Sequence, residues 1–289
     1  MNILLTGASG FTGRHFMQAA TRAGHTVVPL QADLSNPAQI EAEVVQAQPD
    51  AVVHLAAISY VAHADASALY AINTVGTTHL LAAVAALRKV PQCVLLASSA
   101  NVYGNCNSSP IAETQAPVPV NHYAMSKLAM EHMARTYADR LPLIIARPFN
   151  YTGPGQASQF LIPKLVQHYA GLADSIELGN IHVEREFNDV RMVCEAYLAL
   201  LQHGETGQTY NICTGLPYTL QQVMDVLTDI TGHRLNVRVN PALVRAAEVH
   251  RLCGDPGKLQ AATGLDLHRY GLTATLQTML EKAHVQPPH

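Results

Sequence analysis

The sequence predicts an α/β fold, a doubly wound parallel sheet with a smaller C-terminal α/β lobe. Short apolar runs alternate with longer helical patterns through the first half of the chain. A glycine-rich turn, Gly7-Ala-Ser-Gly10-Phe-Thr-Gly13, follows the first run and opens the first helical pattern. Past Asn150 the apolar runs become short and irregularly spaced. Strand–helix alternation of this kind builds βαβ units and hence a parallel sheet.

Taken in order, the runs at 3–6, 26–30, 51–56, 93–98 and 143–147 read as buried strands. Helical patterns lie near 11–24, 36–47, 66–88 and 122–140. Asn36-Pro37 gives the second of them an N-cap followed by proline at the first helical position. Residues 1–150 form the larger domain, with a return of the chain near 190–213. The remainder of 151–289 forms the lobe, entered through the loop Tyr151-Thr-Gly-Pro-Gly-Gln. Helices are expected there near 158–171, 190–203 and 219–231, and the lobe should close over the carboxyl edge of the sheet, where ligands bind in such folds.

The 289 residues are 48% apolar, enough for a large core, and only 13% charged, against ~25% in average chains. A net charge of −3 supplies no basic footprint for nucleic acid or an anionic membrane, and 6% aromatics without tryptophan offers no base-stacking platform. Residues 66–87 lack Asp, Glu, Lys and Arg, yet carry Asn73, Gly76, His79 and four Ser/Thr, which makes a membrane span costly. Five cysteines without a Cys-x-x-Cys pair, and 15 histidines without a ligand cluster, point to a reduced, cytoplasmic, metal-free protein. The N-terminus has no basic region and does not read as a signal peptide.

The glycine turn is built for chemistry. Glycines allow tight turning and close approach to a pyrophosphate, and the helix start presents free N–H groups and a positive dipole end. Gly7, Ser9, Gly10, Phe11, Thr12, Gly13 and Arg14 are therefore candidate dinucleotide contacts. The second strand ends Val28-Pro-Leu-Gln31 with no acid for a ribose 2′-hydroxyl, and Asp33-Leu34 follows. Arg14 is either an exposed first-turn arginine or a partner for a 2′-phosphate. Tyr123 and Lys127 stand one helical turn apart. A free phenol has a pKa of about 10, and a neighbouring ammonium would favour its ionised form. Ser98 and Ser99 end the fourth strand, as cap residues or as donors to a carbonyl oxygen beside that tyrosine.

Glycine turn, strand-end serine and Tyr-x-x-x-Lys helix, in this order, resemble the extended short-chain dehydrogenase/reductase family over essentially the whole chain. His54-Leu-Ala-Ala57, Asn73-Thr-Val-Gly76, Ser98-Ser-Ala-Asn-Val-Tyr-Gly104 and Arg147-Pro-Phe-Asn150 extend the likeness. The resemblance implies a Rossmann-type sheet, a catalytic triad of Ser99, Tyr123 and Lys127, and a nicotinamide cofactor, NADPH ahead of NADH. That cofactor would also touch Asp33, Leu34, Leu55, Ala56, Ala57 and Ser98. Segments 150–156, 185–190, 245–249 and 254–258 are similar to the branch acting on GDP-mannose-derived sugars. The likeness implies a GDP-sugar held by Asn150, Arg185, Arg245 and Glu248, with arginine forks on the diphosphate. Without it, Arg185 would pair with Asp189 and Arg245 with Glu248 on local spacing alone.

Within that branch, 4,6-dehydratases carry Thr in the serine slot and Glu two residues later. Here Ser99 and Asn101 stand in those places, and an amide cannot move the dehydration proton. Cys106 lies off the position of the cysteine used by epimerising relatives. Simple ketone reduction remains, with an NAD-retaining 4-epimerase and a non-catalytic dinucleotide sensor as alternatives. The resemblance also implies a homodimer through the helices near 66–88 and 122–140, both apolar over several faces. Leu80 and Ala83 are the positions expected to test that interface.

Overall fold

β1 (Asn2–Thr6), β2 (Thr26–Pro29), β3 (Ala51–His54), β4 (Cys93–Ala97) and β5 (Leu143–Pro148) form the expected parallel strands. β3 and β5 are buried at every residue, as strands covered on both faces must be. A sixth strand, β10 (Thr209–Ile212), pairs parallel with β5 and completes the order β10-β5-β4-β3-β1-β2. Doubly wound sheets commonly place two strands on the far side of β1. Among the described residues this sheet has one, so β2 is an open edge. The computed structural model describes residues 1–59, 65–106, 108–244 and 249–285.

Side chains alternate between two cores. Ile3, Leu5, Val53 and Leu95 face α1 (Phe11–Arg22) and α7 (Val190–His203), packing with Phe16, Val193 and Tyr197. Leu4, Val52, Val94 and Leu96 face the other way, onto Ile40 and Val44 of α2 (Pro37–Ala47). The same core takes Leu80, Leu81 and Val84 of α4 (Thr77–Ala85) and Met130 of α5 (His122–Arg135). Asn36 caps α2 as its sequence implies, its side chain accepting from the Gln39 N–H.

The predicted helix at 66–88 is three pieces. α3 (Ala66–Tyr70) runs into a π-helical turn at Ala71–Gly76 and then into α4. Thr77 and Thr78 hydroxyls donate back to the carbonyls of Asn73 and Thr74, at 2.8 and 3.0 Å, which helps to hold the widened turn. Gly76 allows it to sit on Leu34, since a Cβ there would lie 2.7 Å from the Leu34 Cβ. By length and composition Ala66–Ala85 is the one described helix that could cross a membrane, but it packs on the sheet. Leu80 is fully buried and Ala83 is 7% exposed inside the monomer, so neither can report on a dimer. The face left open carries Ala71, Val75 and Ala82, with Met125 on the neighbouring α5.

The second half adds a separate core. α6 (Leu161–Ala170), α8 (Leu220–Thr231) and α10 (Leu272–Val285) pack on a small parallel pair, β7 (Ser175–Leu178) and β12 (Asn236–Val239). A reciprocal capping box, Thr219 with Gln222, starts α8. β8 (Glu184–Glu186) lies between β11 (Pro217–Thr219) and β13 (Arg251–Leu252), while β6 (Tyr151–Thr152) pairs with β9 (Asn188–Asp189). α9 (Gly257–Thr263) returns to pack on α7 and β10.

Candidate active site

Gly7 has φ +70°, and a Cβ there would lie 2.7 Å from the Ala56 nitrogen at the end of β3. At Gly13 a Cβ would meet the Gly7 carbonyl at 2.1 Å. These two glycines let α1 start directly against the end of β1. Gly10 caps α1 without a side-chain hydrogen bond, so N–H groups of the first turn remain open at the positive end of a 12-residue helix. That cradle fits a pyrophosphate. Arg14 reaches the carbonyls of Ser9 and Gly155, at 2.5 and 3.2 Å, and Thr12 bonds the Tyr151 hydroxyl at 2.8 Å. The glycine turn is thereby clasped to the 151–155 loop.

Leu55 and Ala56 donate their N–H groups to Thr6 Oγ1, each at 3.1 Å. Thr6 then donates to His54 Nδ1 at 2.7 Å, and His54 Nε2 to Thr77 at 2.8 Å. Burial holds His54 neutral, its pKa pushed down to about 3. This relay fixes the segment 55–57 beside the glycine turn. At the β2 edge, Asp33 accepts from both the N–H and hydroxyl of Ser35, and Leu34 is buried. The sequence shows no acid at the tip of β2, but the fold brings one: Glu43 of α2 accepts from the Gln31 N–H at 2.7 Å.

Ser99, Tyr123 and Lys127 converge at the carboxyl end of β4, all nearly buried. Asn121 caps α5, accepting from the Ala124 N–H, and so starts the helix that carries Tyr123 and Lys127. Burial raises the pKa of the Tyr123 phenol, and the Ser99 hydroxyl, near enough to act on it, opposes the rise. Ser99 Oγ in turn accepts from the backbone N–H and the Nδ2 of Asn101, at 3.2 and 3.1 Å. Lys127 Nζ donates to the Ala97 carbonyl at 2.8 Å, and burial lowers its pKa to about 8, with Glu131 opposing. Asn73, in the π turn, bonds both backbone groups of Ile58 and donates to Ser126, which donates to the Tyr123 carbonyl.

Behind the lysine lies a buried ion pair. Glu131 takes Arg147 through Nε at 2.9 Å and Nη2 at 2.6 Å, and Ser98 donates to the same carboxylate at 2.5 Å. Ser98's hydroxyl is thus spent in the core and its N–H on the Ala146 carbonyl, which leaves its own carbonyl for a cofactor. On the lobe side Asn150 is exposed at the end of β5. Arg185 does not make the Asp189 pair that local spacing alone would give: Asp189 is held by Arg191 at 2.6 Å and by Thr275, while Arg185 donates to the Val249 carbonyl. Arg245 and Glu248 lie outside the described residues.

The family model of GDP-mannose 4,6 dehydratase matches residues 26–279. The chain belongs to that family. It is an extended short-chain dehydrogenase/reductase, an enzyme using a nicotinamide dinucleotide. The GDP-6-deoxy-D-mannose reductase of Pseudomonas aeruginosa is 38% identical over 278 residues, 91% of this chain and 90% of that protein. The GDP-6-deoxy-D-talose 4-dehydrogenase of Aggregatibacter actinomycetemcomitans is 34% identical over 285 residues, 96% of this chain and 97% of that one. The structure of RMD from Pseudomonas aeruginosa complexed with NADPH superposes with a TM-score of 0.90, covering 99% of both chains at 34% identity.

Within this family member, motif reasoning missed the residues that act from a distance. Glu131 sits four positions after Lys127, a spacing that could have flagged it, and Arg147 opens a quoted motif, but nothing local joins the two. Glu43 was invisible because its contact with Gln31 depends on how α2 lies along the open edge. Glu186 is buried and accepts from the N–H groups of Gly254 and Thr214, at 2.6 and 2.8 Å. It ties the 213–215 and 253–255 turns to the strand bearing Arg185.

Proposed function

We propose that this enzyme reduces the 4-keto group of a GDP-6-deoxyhexose, converting GDP-4-dehydro-6-deoxy-D-mannose to GDP-D-rhamnose. The observation that carries the reading is the cluster of Ser99, Tyr123 and Lys127 with Asn101, an amide, standing where dehydration needs a carboxylate. The relatives' names support the position of attack. The dehydrogenase's name gives position 4, and 6-deoxy-D-mannose and 6-deoxy-D-talose differ only at C4, so hydride delivery to opposite faces of one 4-keto sugar would give the two products.

The residues at the glycine turn, 7–14, and at 55–57 would hold the dinucleotide, which when bound supplies the hydride for C4. Tyr123 donates its proton to the developing alkoxide, and its burial, which favours the neutral phenol, keeps that proton available at neutral pH. Ser99 hydrogen-bonds the same oxygen, in a site whose low dielectric strengthens the contact. Lys127, with its ammonium against the Ala97 carbonyl, supplies a fixed positive charge close by. Asn150, Arg185 and Arg245 take the diphosphate and Glu248 the nucleoside, and Arg185 also donates to the Val249 carbonyl. Arg14 is occupied by carbonyls and Glu43 brings a negative charge to the β2 tip, so the reading departs from the NADPH preference that the resemblance implies and takes NADH ahead of NADPH. The enzyme works in the cytoplasm as a homodimer, with Val75 and Met125 on the covered face.

The test is incubation with GDP-4-keto-6-deoxymannose and NADH or NADPH, with the product read by NMR. Stoichiometric cofactor oxidation with D-rhamnose configuration at C4 supports the proposal. The talo configuration reverses the face, and C4 inversion of a GDP-hexose without net oxidation marks a 4-epimerase.

A further inference from the structure

Ser99 caps a short 3₁₀ turn with extended backbone, and three groups surround its hydroxyl. The Asn101 N–H and the Asn101 Nδ2 donate to it, at 3.2 and 3.1 Å, and the Tyr123 phenol is the third group near it. A hydroxyl oxygen has two lone pairs and one proton. With both lone pairs filled from residue 101, the proton is left for the side on which Tyr123 lies. The geometry points to Asn101 as the positioning residue that directs the Ser99 proton toward the substrate oxygen shared by Ser99 and Tyr123. This inference rests on the ketoreductase reading above.

The backbone N–H of residue 101 alone would fill one lone pair and leave the hydroxyl free to rotate. The side chain removes that freedom, and its chemical type decides the outcome. An amide donates through Nδ2, so Ser99 faces the ketone as a donor. A carboxylate in the same place accepts instead, drawing the serine proton inward and turning a lone pair toward the developing alkoxide. Position 101 therefore controls whether the serine stabilises or opposes negative charge on the carbonyl oxygen, apart from any proton that its own side chain can move. Asn101 is half-buried beside Ser99, so its amide acts with little competition from water.

Asn101→Asp and Asn101→Ala test this, each alone and combined with Ser99→Ala. The readouts are kcat, KM, the pH–rate profile, NADH binding by fluorescence and the melting midpoint. Asn101→Asp should lower kcat about tenfold or more at neutral pH, one hydrogen bond's worth of transition-state stabilisation. KM and NADH affinity should stay at their wild-type values. The loss should shrink as pH falls through the carboxylate range, because a protonated aspartate donates again. In the Ser99→Ala background the Asp substitution should add little, since both changes act through one hydroxyl. If Asn101→Asp folds poorly, Asn101→Ala carries the test, with a smaller loss of kcat, an unchanged melting midpoint and the same non-additivity. Wild-type kcat in both variants, a pH-independent loss, or full additivity with Ser99→Ala would overturn the assignment. These failures are separable from failure of the ketoreductase reading, which would show as a wild-type enzyme that does not oxidise the reduced cofactor in the presence of GDP-4-keto-6-deoxymannose.

Discussion

Lys127 costs the fold stability for the sake of its charge. It is 4% exposed, and burial lowers its pKa from 10.5 to about 8. At neutral pH the folded protein therefore holds an ammonium that the unfolded chain solvates better. A shift of ~2.5 units at ~1.36 kcal/mol each is a penalty of about 3 kcal/mol. Replacing Lys127 with Met keeps the length of the side chain and removes the charge. It also removes the bond to the Ala97 carbonyl, worth about 1 kcal/mol. Lys127→Met should thus be more stable than wild type by about 2 kcal/mol at pH 7, measured by urea denaturation. The sign of the pH dependence follows from the lowered pKa. Between about 8 and 10.5 the unfolded chain binds the proton and the folded one does not, so wild-type stability gains with rising pH. The advantage of the variant should shrink by about 2 kcal/mol between pH 7 and pH 9.5. A variant less stable than wild type at pH 7, or a gap indifferent to pH, would refute the reasoning.

Further outcomes follow from the same geometry. Glu131→Gln leaves the buried Arg147 guanidinium without its counter-charge and should cost about 3–5 kcal/mol of stability in denaturant titrations; a surface-like loss under about 1 kcal/mol would contradict it. Glu43→Gln should shift the ratio of NADPH to NADH dissociation constants about fivefold in favour of NADPH, read by fluorescence titration, and an unchanged ratio would remove Glu43 from the ribose site. Val75→Arg, 49% exposed in the monomer, should give monomer mass by light scattering without a loss of melting temperature, and a persistent dimer would move the interface elsewhere.

The sheet was legible because its strands are short apolar runs between capped helices, and the six-residue spacing of the glycine turn admits few other uses. The convergence of Ser99, Tyr123 and Lys127 was legible because Tyr123 and Lys127 share one helix and Ser99 follows the end of a strand. The failures have a common cause. Leu80 and Ala83 were read as interface positions because a helix apolar on several sides does not say which side meets the sheet. The π turn at 71–76 rests on two threonine back-bonds that periodicity cannot see. In the lobe, strands of two to four residues such as β8 and β13 are too short for an alternation to register. Glu43, Glu131 and Asn101 act through partners whose proximity only the fold creates, or through a hydroxyl whose direction no motif encodes.

The central claim is that Tyr123 gives the proton to the sugar oxygen while Ser99 and Lys127 hold it in place. Single-turnover reduction of GDP-4-keto-6-deoxymannose by Tyr123→Phe tests it most directly, with NADH affinity measured on the same sample. The account predicts a rate lower by about 10²–10⁴-fold with cofactor affinity intact. A phenylalanine variant within about tenfold of the wild-type rate would contradict it.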